Sequence, residues 1–161
     1  MAATRDIVAT YGGPAKVVRK LLGQGAHEPR ALMFLMLGCL LVFIAQMPRL
    51  AREAHLTESD LSMMMGGALM GWIFIAPLAL YTIALLSHFI ARALGRRQSA
   101  YAARLALFWA LLASTPLMLL WGLTAGFVGP GIQLDIVGAL WFGIFMWFWL
   151  GGLWGVGRGA E

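Results

Sequence analysis

The sequence predicts an all-α membrane protein: a bundle of about four transmembrane helices preceded by a short basic amphipathic interfacial helix. Three observations carry that prediction. Of 161 residues, 61% are apolar and only 12% charged, with a strongly positive mean hydropathy, whereas a soluble domain carries roughly 25% charged residues. Uncharged stretches long enough, or nearly so, to cross a membrane recur four times. The basic residues flank those stretches, as topology in a bilayer requires. The formal net charge of +5 is therefore topological, and no nucleic-acid partner is expected. Cys39 is the sole cysteine, so no internal disulfide forms and the redox compartment stays unread.

The first element is short. In Pro14 to Leu22, Val17, Val18, Leu21 and Leu22 share one helical face, and Lys16, Arg19 and Lys20 face away from it. Pro14 suits the start of this helix and Gly23 or Gly25 its end. Two compatible placements follow. The helix lies on the inner leaflet, where each basic residue gains about 1 kcal/mol near anionic lipid headgroups, or it packs on the cytoplasmic ends of the bundle. No signal peptide is expected, because the first long apolar run starts near Ala31 without a small-residue cleavage pattern behind it.

Crossing roughly 30 Å of hydrocarbon takes about 20 helical residues. The first span, about 31–48, is short, but the stems of Arg30 and Arg49 reach the interfaces and Pro29 suits the first turn. Thr57-Glu-Ser-Asp60 reads as the next helix start, with the Thr57 hydroxyl as its cap. The second span, 61–90, is longer than a straight crossing needs, so tilt or a break is expected at Gly66, Gly67 and the kink residue Pro77. The third, 105–128, contains Ser114-Thr115 before a second kink residue, Pro116, placed to satisfy carbonyls that the proline frees. It ends in the turn Gly126-Phe-Val-Gly-Pro-Gly131. The fourth, 136–154, is dense in aromatics from Trp141 to Trp149.

Arginine and lysine counts orient the bundle. Ten lie before the first span, between the second and third, or in the tail, against two, Arg49 and Arg52, on the other side. The positive-inside rule then puts both termini in the cytoplasm. A multi-pass protein of the bacterial inner membrane is expected, with Lys16, Arg19, Lys20, Arg96 and Arg97 as lipid-headgroup contacts.

Catalytic chemistry finds little footing. No Asp, Glu, Lys or Arg falls inside the four predicted spans, which argues against ion-coupled transport, where such a residue is the usual device. His88 reads as an interface anchor or a ligand or proton-relay group, and His27 and His55 have no partner at metal-ligand spacing. Met63, Met64 and Met65 point in different directions around a helix and cannot converge on a soft metal. Glu53, Glu58, Asp60 and Asp135 are the carboxylates of the outer side, at no spacing specific for a divalent cation. No cofactor, metal or enzymatic activity is expected.

The glycines are more informative. Gly67 and Gly71, Gly122 and Gly126, and Gly151 and Gly155 are each four apart. Small residues at this spacing let membrane helices approach closely, either within the bundle or against another subunit.

From Asp6 to Trp154 the chain resembles the bacterial members of the Yip1-domain family of small polytopic membrane proteins. The likeness lies in Asp6-Ile-Val-Ala-Thr-Tyr-Gly-Gly-Pro14-Ala-Lys-Val-Val-Arg-Lys-Leu21, in Met64-Met-Gly-Gly-Ala-Leu-Met-Gly-Trp72, and in Ala76-Pro-Leu-Ala-Leu-Tyr81 with Ser87-His88. Arg104-Leu-Ala-Leu-Phe-Trp-Ala and Ser114-Thr-Pro116 complete it. The resemblance implies a non-enzymatic helical membrane protein. It divides the chain into a cytoplasmic amphipathic segment (1–29), a Yip1-like transmembrane domain (30–157) and a cytoplasmic tail (158–161). Eukaryotic relatives are associated with vesicle trafficking and small GTPases through a long cytoplasmic segment. With about thirty residues before the first span, this chain lacks that surface, and the role is not carried over.

Two functions remain in view. The first is an accessory, assembly or organising subunit that contacts membrane lipids and another membrane protein, a larger complex or its own copies. The second is a channel or transporter for a neutral or lipid-like substrate, with Tyr81, Thr82, Ser114 and Thr115 as polar contacts at a midplane cavity.

Overall fold

The computed structural model describes residues 2–96 and 98–157, so Arg97 and the predicted tail at 158–161 lie outside the described residues. The described residues form helices and no strand. In order these are α1 (Ala2–Gly12), α2 (Pro14–Gly23), α3 (Glu28–Thr57), α4 (Leu61–Met70), a π-helical turn (Gly71–Ile75), α5 (Ala76–Ala93), α6 (Ala100–Phe127) and α7 (Ile132–Gly157). Four stretches are long and apolar enough to cross a membrane: α3, the continuous run Leu61–Ala93, α6, and α7.

Every span runs further than its apolar core predicts, and local chemistry explains the ends. Helix α3 continues through Pro48 and carries Arg49, Arg52 and Glu53 beyond the predicted boundary. It stops where Glu58 turns left-handed (φ 52°). Thr57 belongs to this last turn, its hydroxyl donating to the Glu53 carbonyl at 2.8 Å, so the expected Thr57 cap is not made. Asp60 caps α4 instead, accepting from the backbone N–H of Ser62 at 2.9 Å and from its hydroxyl at 2.7 Å. Ser99 caps α6 by accepting from the Ala102 N–H at 3.1 Å, which starts that helix five residues before Leu105.

The long second stretch is one helix, not two. Its irregularity is the π turn that closes with the Ala76 N–H bonded to the Gly71 carbonyl. Pro77 follows at once. A proline ring crowds the carbonyl four residues back, here Ile73, and the wider π turn gives it room.

Helix α6 is the axis of the fold. From Tyr101 to Thr115 every residue but Arg104 is buried, and α3, α5, α7, α1 and α2 all pack on it. Its core partners include Phe34 edge-on to Trp109 and Tyr81 edge-on to Phe108.

The amino-terminal segment is a helical hairpin. Helix α2 spans the predicted residues and buries Pro14, Val17, Val18 and Leu21 mainly against α7. Packing on the bundle, one of its two compatible placements, is seen. Helix α1 was not foreseen. Its buried face is polar: Asp6 pairs with Lys20 at 2.6 Å, and the Thr10 hydroxyl accepts from the Trp109 indole N–H at 3.0 Å. An apolar stripe, the usual sign of an amphipathic helix, is therefore absent from α1.

Candidate functional site

The three glycine pairs separate into used and unused. At the α3–α6 crossing, a Cβ on Gly122 would overlap the Ala45 carbonyl, and one on Gly126 would overlap Pro48. At the α2–α7 contact, a Cβ on Gly151 would lie 2.9 Å from Pro14 Cγ and one on Gly155 2.5 Å from Ala15 Cβ. Gly152, not singled out in the sequence, faces Val18 and Ala106, and Gly38 faces Leu111. At Gly122, Gly126 and Gly155 the helices meet backbone to backbone, and a side chain there has no room.

Gly67 and Gly71 differ. A Cβ at either, or at Gly66, would meet nothing within 4 Å. Gly67 lies on the outward face of the second span among exposed Met63, Met70, Phe74 and Leu78. Opposite it, Trp72, Ala76, Leu80 and Tyr81 pack against the core.

The proline-linked polar groups are committed to the backbone. Pro116 has no N–H to offer the Leu112 carbonyl. Thr115 Oγ1 donates to that carbonyl at 2.7 Å, as the sequence predicts. Ser114 Oγ donates to Leu111 at 2.9 Å, and Tyr11 from α1 reaches the Ala113 carbonyl at 3.1 Å. Tyr81 and Thr82 line an outward groove with Leu78, Leu85, Ala100 and Arg104, and Thr82 donates to Leu78 at 3.0 Å. Ser114 and Thr115 do not line that groove, so the four do not converge on one cavity.

Charged side chains collect at the helix ends. At the end carrying α2, Lys16, Arg19 and Lys20 are exposed, and Arg104 pairs with Glu28. Arg30 donates to the carbonyls of Leu21 and Gly25 at 2.7 and 2.9 Å, clamping the α2–α3 connection. Arg96 lies over the Trp154 ring at 5.6 Å. At the opposite end Arg52 donates to the carbonyls of Gly126 and Phe127 at 3.2 and 3.4 Å, a cation at the negative end of α6. There Ser62 holds the Asp60 carboxyl below the usual carboxylate range by donating to its charged form. Among the described residues no three of His, Cys, Asp or Glu gather as metal ligands would.

These features define an all-α, multi-pass membrane protein, a bundle built around α6 with a helical hairpin seated on one end. No protein-family model matches the chain, and neither a curated protein nor a solved structure matches it.

Proposed function

We propose that this is a non-enzymatic, Yip1-like protein of the bacterial inner membrane with both termini in the cytoplasm. It acts as an accessory, assembly or organising subunit through helix–helix and lipid contacts. One observation carries the reading: the second span presents Gly66, Gly67 and Gly71 to empty space. Glycine in a helix interior costs about 1 kcal/mol relative to alanine, and here no neighbour within the chain offsets that cost. A second membrane helix pressed against this face would offset it, as neighbouring helices do at Gly122 and Gly126.

The test is the migration of the tagged protein from gently solubilised membranes on a native gel. With Gly67→Leu and Gly71→Leu together, the larger species is expected to vanish while the protein still accumulates and folds. Unchanged migration would overturn the proposal. A gentle-detergent pull-down of the wild type then identifies the partner.

A further inference from the structure

We propose that the cleft between α5 and α7, at the end of the bundle bearing α2, binds one anionic phospholipid. Arg92, Arg96 and Gln98 take the phosphate, and one acyl chain lies along Ile90, Leu94, Leu150 and Leu153. The site rests on the lipid-contact part of the proposed function and shares Arg96 with it, but uses none of the glycines on which the helix–helix part stands.

Two adjoining cavities have opposite chemistry. One, of about 230 Å³, is walled by Ile90, Leu94, Leu150, Leu153 and Trp154. The other, of about 570 Å³, is lined by His88, Arg92, Gly95, Arg96 and Gln98. Arg96 and Gln98 line both, so an apolar slot opens directly onto a cationic pocket. That juxtaposition suits an amphiphile with a negative head.

The polar half has unmet hydrogen-bonding capacity. Gln98 is only 7% exposed, yet among the described residues neither its amide nitrogen nor its amide oxygen has a partner, and His88 Nδ1 is likewise buried and unpartnered. Native proteins rarely leave such groups empty, because each costs roughly 1–3 kcal/mol. A phosphodiester supplies acceptors to the Gln98 amide and to both guanidiniums, and a glycerol or headgroup hydroxyl supplies a donor to its carbonyl. Among the described residues no Asp or Glu lines either cavity. Among the described residues the ion pairs involve Lys20, Arg49 and Arg104, not Arg92 or Arg96. Arg96 is held at the junction by the Trp154 face, which leaves its N–H fork to a phosphate. The cleft also sits where α5 ends and the turn to α6 begins, the depth of a headgroup when the apolar helix lies in hydrocarbon.

The full-length protein, delipidated in mild detergent, is titrated with phosphatidylglycerol or phosphatidylcholine and read by native mass spectrometry. One tightly held phosphatidylglycerol is expected, preferred over phosphatidylcholine by about tenfold or more. Arg92→Gln with Arg96→Gln should remove that preference, as should Gln98→Leu, while Arg5→Gln, at an exposed arginine of α1 that does not line the cleft, should leave it intact. Arg92 is exposed, so the single variant Arg92→Gln keeps the test valid should either of the others fail to fold. Equal retention of the two lipids, or wild-type preference in the arginine variants, would overturn the proposal. So would displacement of the lipid by millimolar glycerol phosphate or inorganic phosphate, which would mark a site for free phosphate. None of these results bears on the native-gel experiment.

Discussion

Helix α6 and the second span, Leu61–Ala93, are chemically alike and structurally opposite. Both are apolar, contain a proline and carry glycines four apart. Yet in their most apolar windows 72% of the residues of α6 are buried, against 6% in the second span. In water the more apolar segment would be drawn inside. In a bilayer the surroundings are as apolar as the core, so hydropathy does not rank helices by depth in the bundle. What distinguishes α6 is side-chain size at the crossings: Ala102, Ala103, Ala106, Ala110 and Gly122 admit neighbours from several directions. The second span buries Ala84 and Ala91, but its glycines, Gly66, Gly67 and Gly71, meet no neighbour.

The comparison breaks most sharply on the glycines. Gly122→Leu forces a side chain into the α3 backbone and is expected to destabilise the fold by about 3 kcal/mol. Gly67→Leu in the same background should shift stability by no more than about 1 kcal/mol. Unfolding in mixed detergent micelles, followed by tryptophan fluorescence, measures both. Similar losses would mean that the second span is packed as tightly as α6.

Two threonines sharpen the contrast at lower amplitude. Thr10→Val leaves the buried Trp109 N–H without its acceptor and should cost about 2 kcal/mol. Thr82→Val, on the exposed face of α5, should stay within about 0.5 kcal/mol. Equal effects in the same unfolding assay would remove the hairpin from the core of the molecule.

The smallest expected effect lies at the start of the second span. Asp60 has a lowered pKa in the fold, so its contribution to that helix start is present above the unfolded-state pKa. It fades as the pH falls through the lowered folded value. Ser62→Ala should return the Asp60 pKa towards its ordinary value and flatten this dependence, as read by carboxyl carbon NMR titration. An unchanged titration would show that the cap is not held by Ser62.

How much was legible follows the same physics. Helix α2 could be read because Val17, Val18 and Leu21 repeat on one face. Helix α1 could not, because Asp6 and Thr10 find their partners in Lys20 and Trp109, one in the next helix and one about a hundred residues away. The Thr115 bond to a carbonyl freed by Pro116 was legible, being local, whereas the Tyr11 bond to Ala113 was not. Thr57 does not cap the next helix because α3 continues through Pro48 and takes that residue into its last turn. The glycine spacings marked where close approach is permitted, and packing then used the pairs on α6 and α7.

The amino-acid sequence alone determined the membrane class, the four long apolar helices and the position of the basic flanks. Those depend on solvent transfer and on local backbone chemistry, which act residue by residue. Only the tertiary structure decided that α6 is central, that the hairpin is docked and that the Gly67 face is bare. Those outcomes depend on which small residues oppose each other across helices, and neither lipid nor core leaves a mark of that choice in hydropathy.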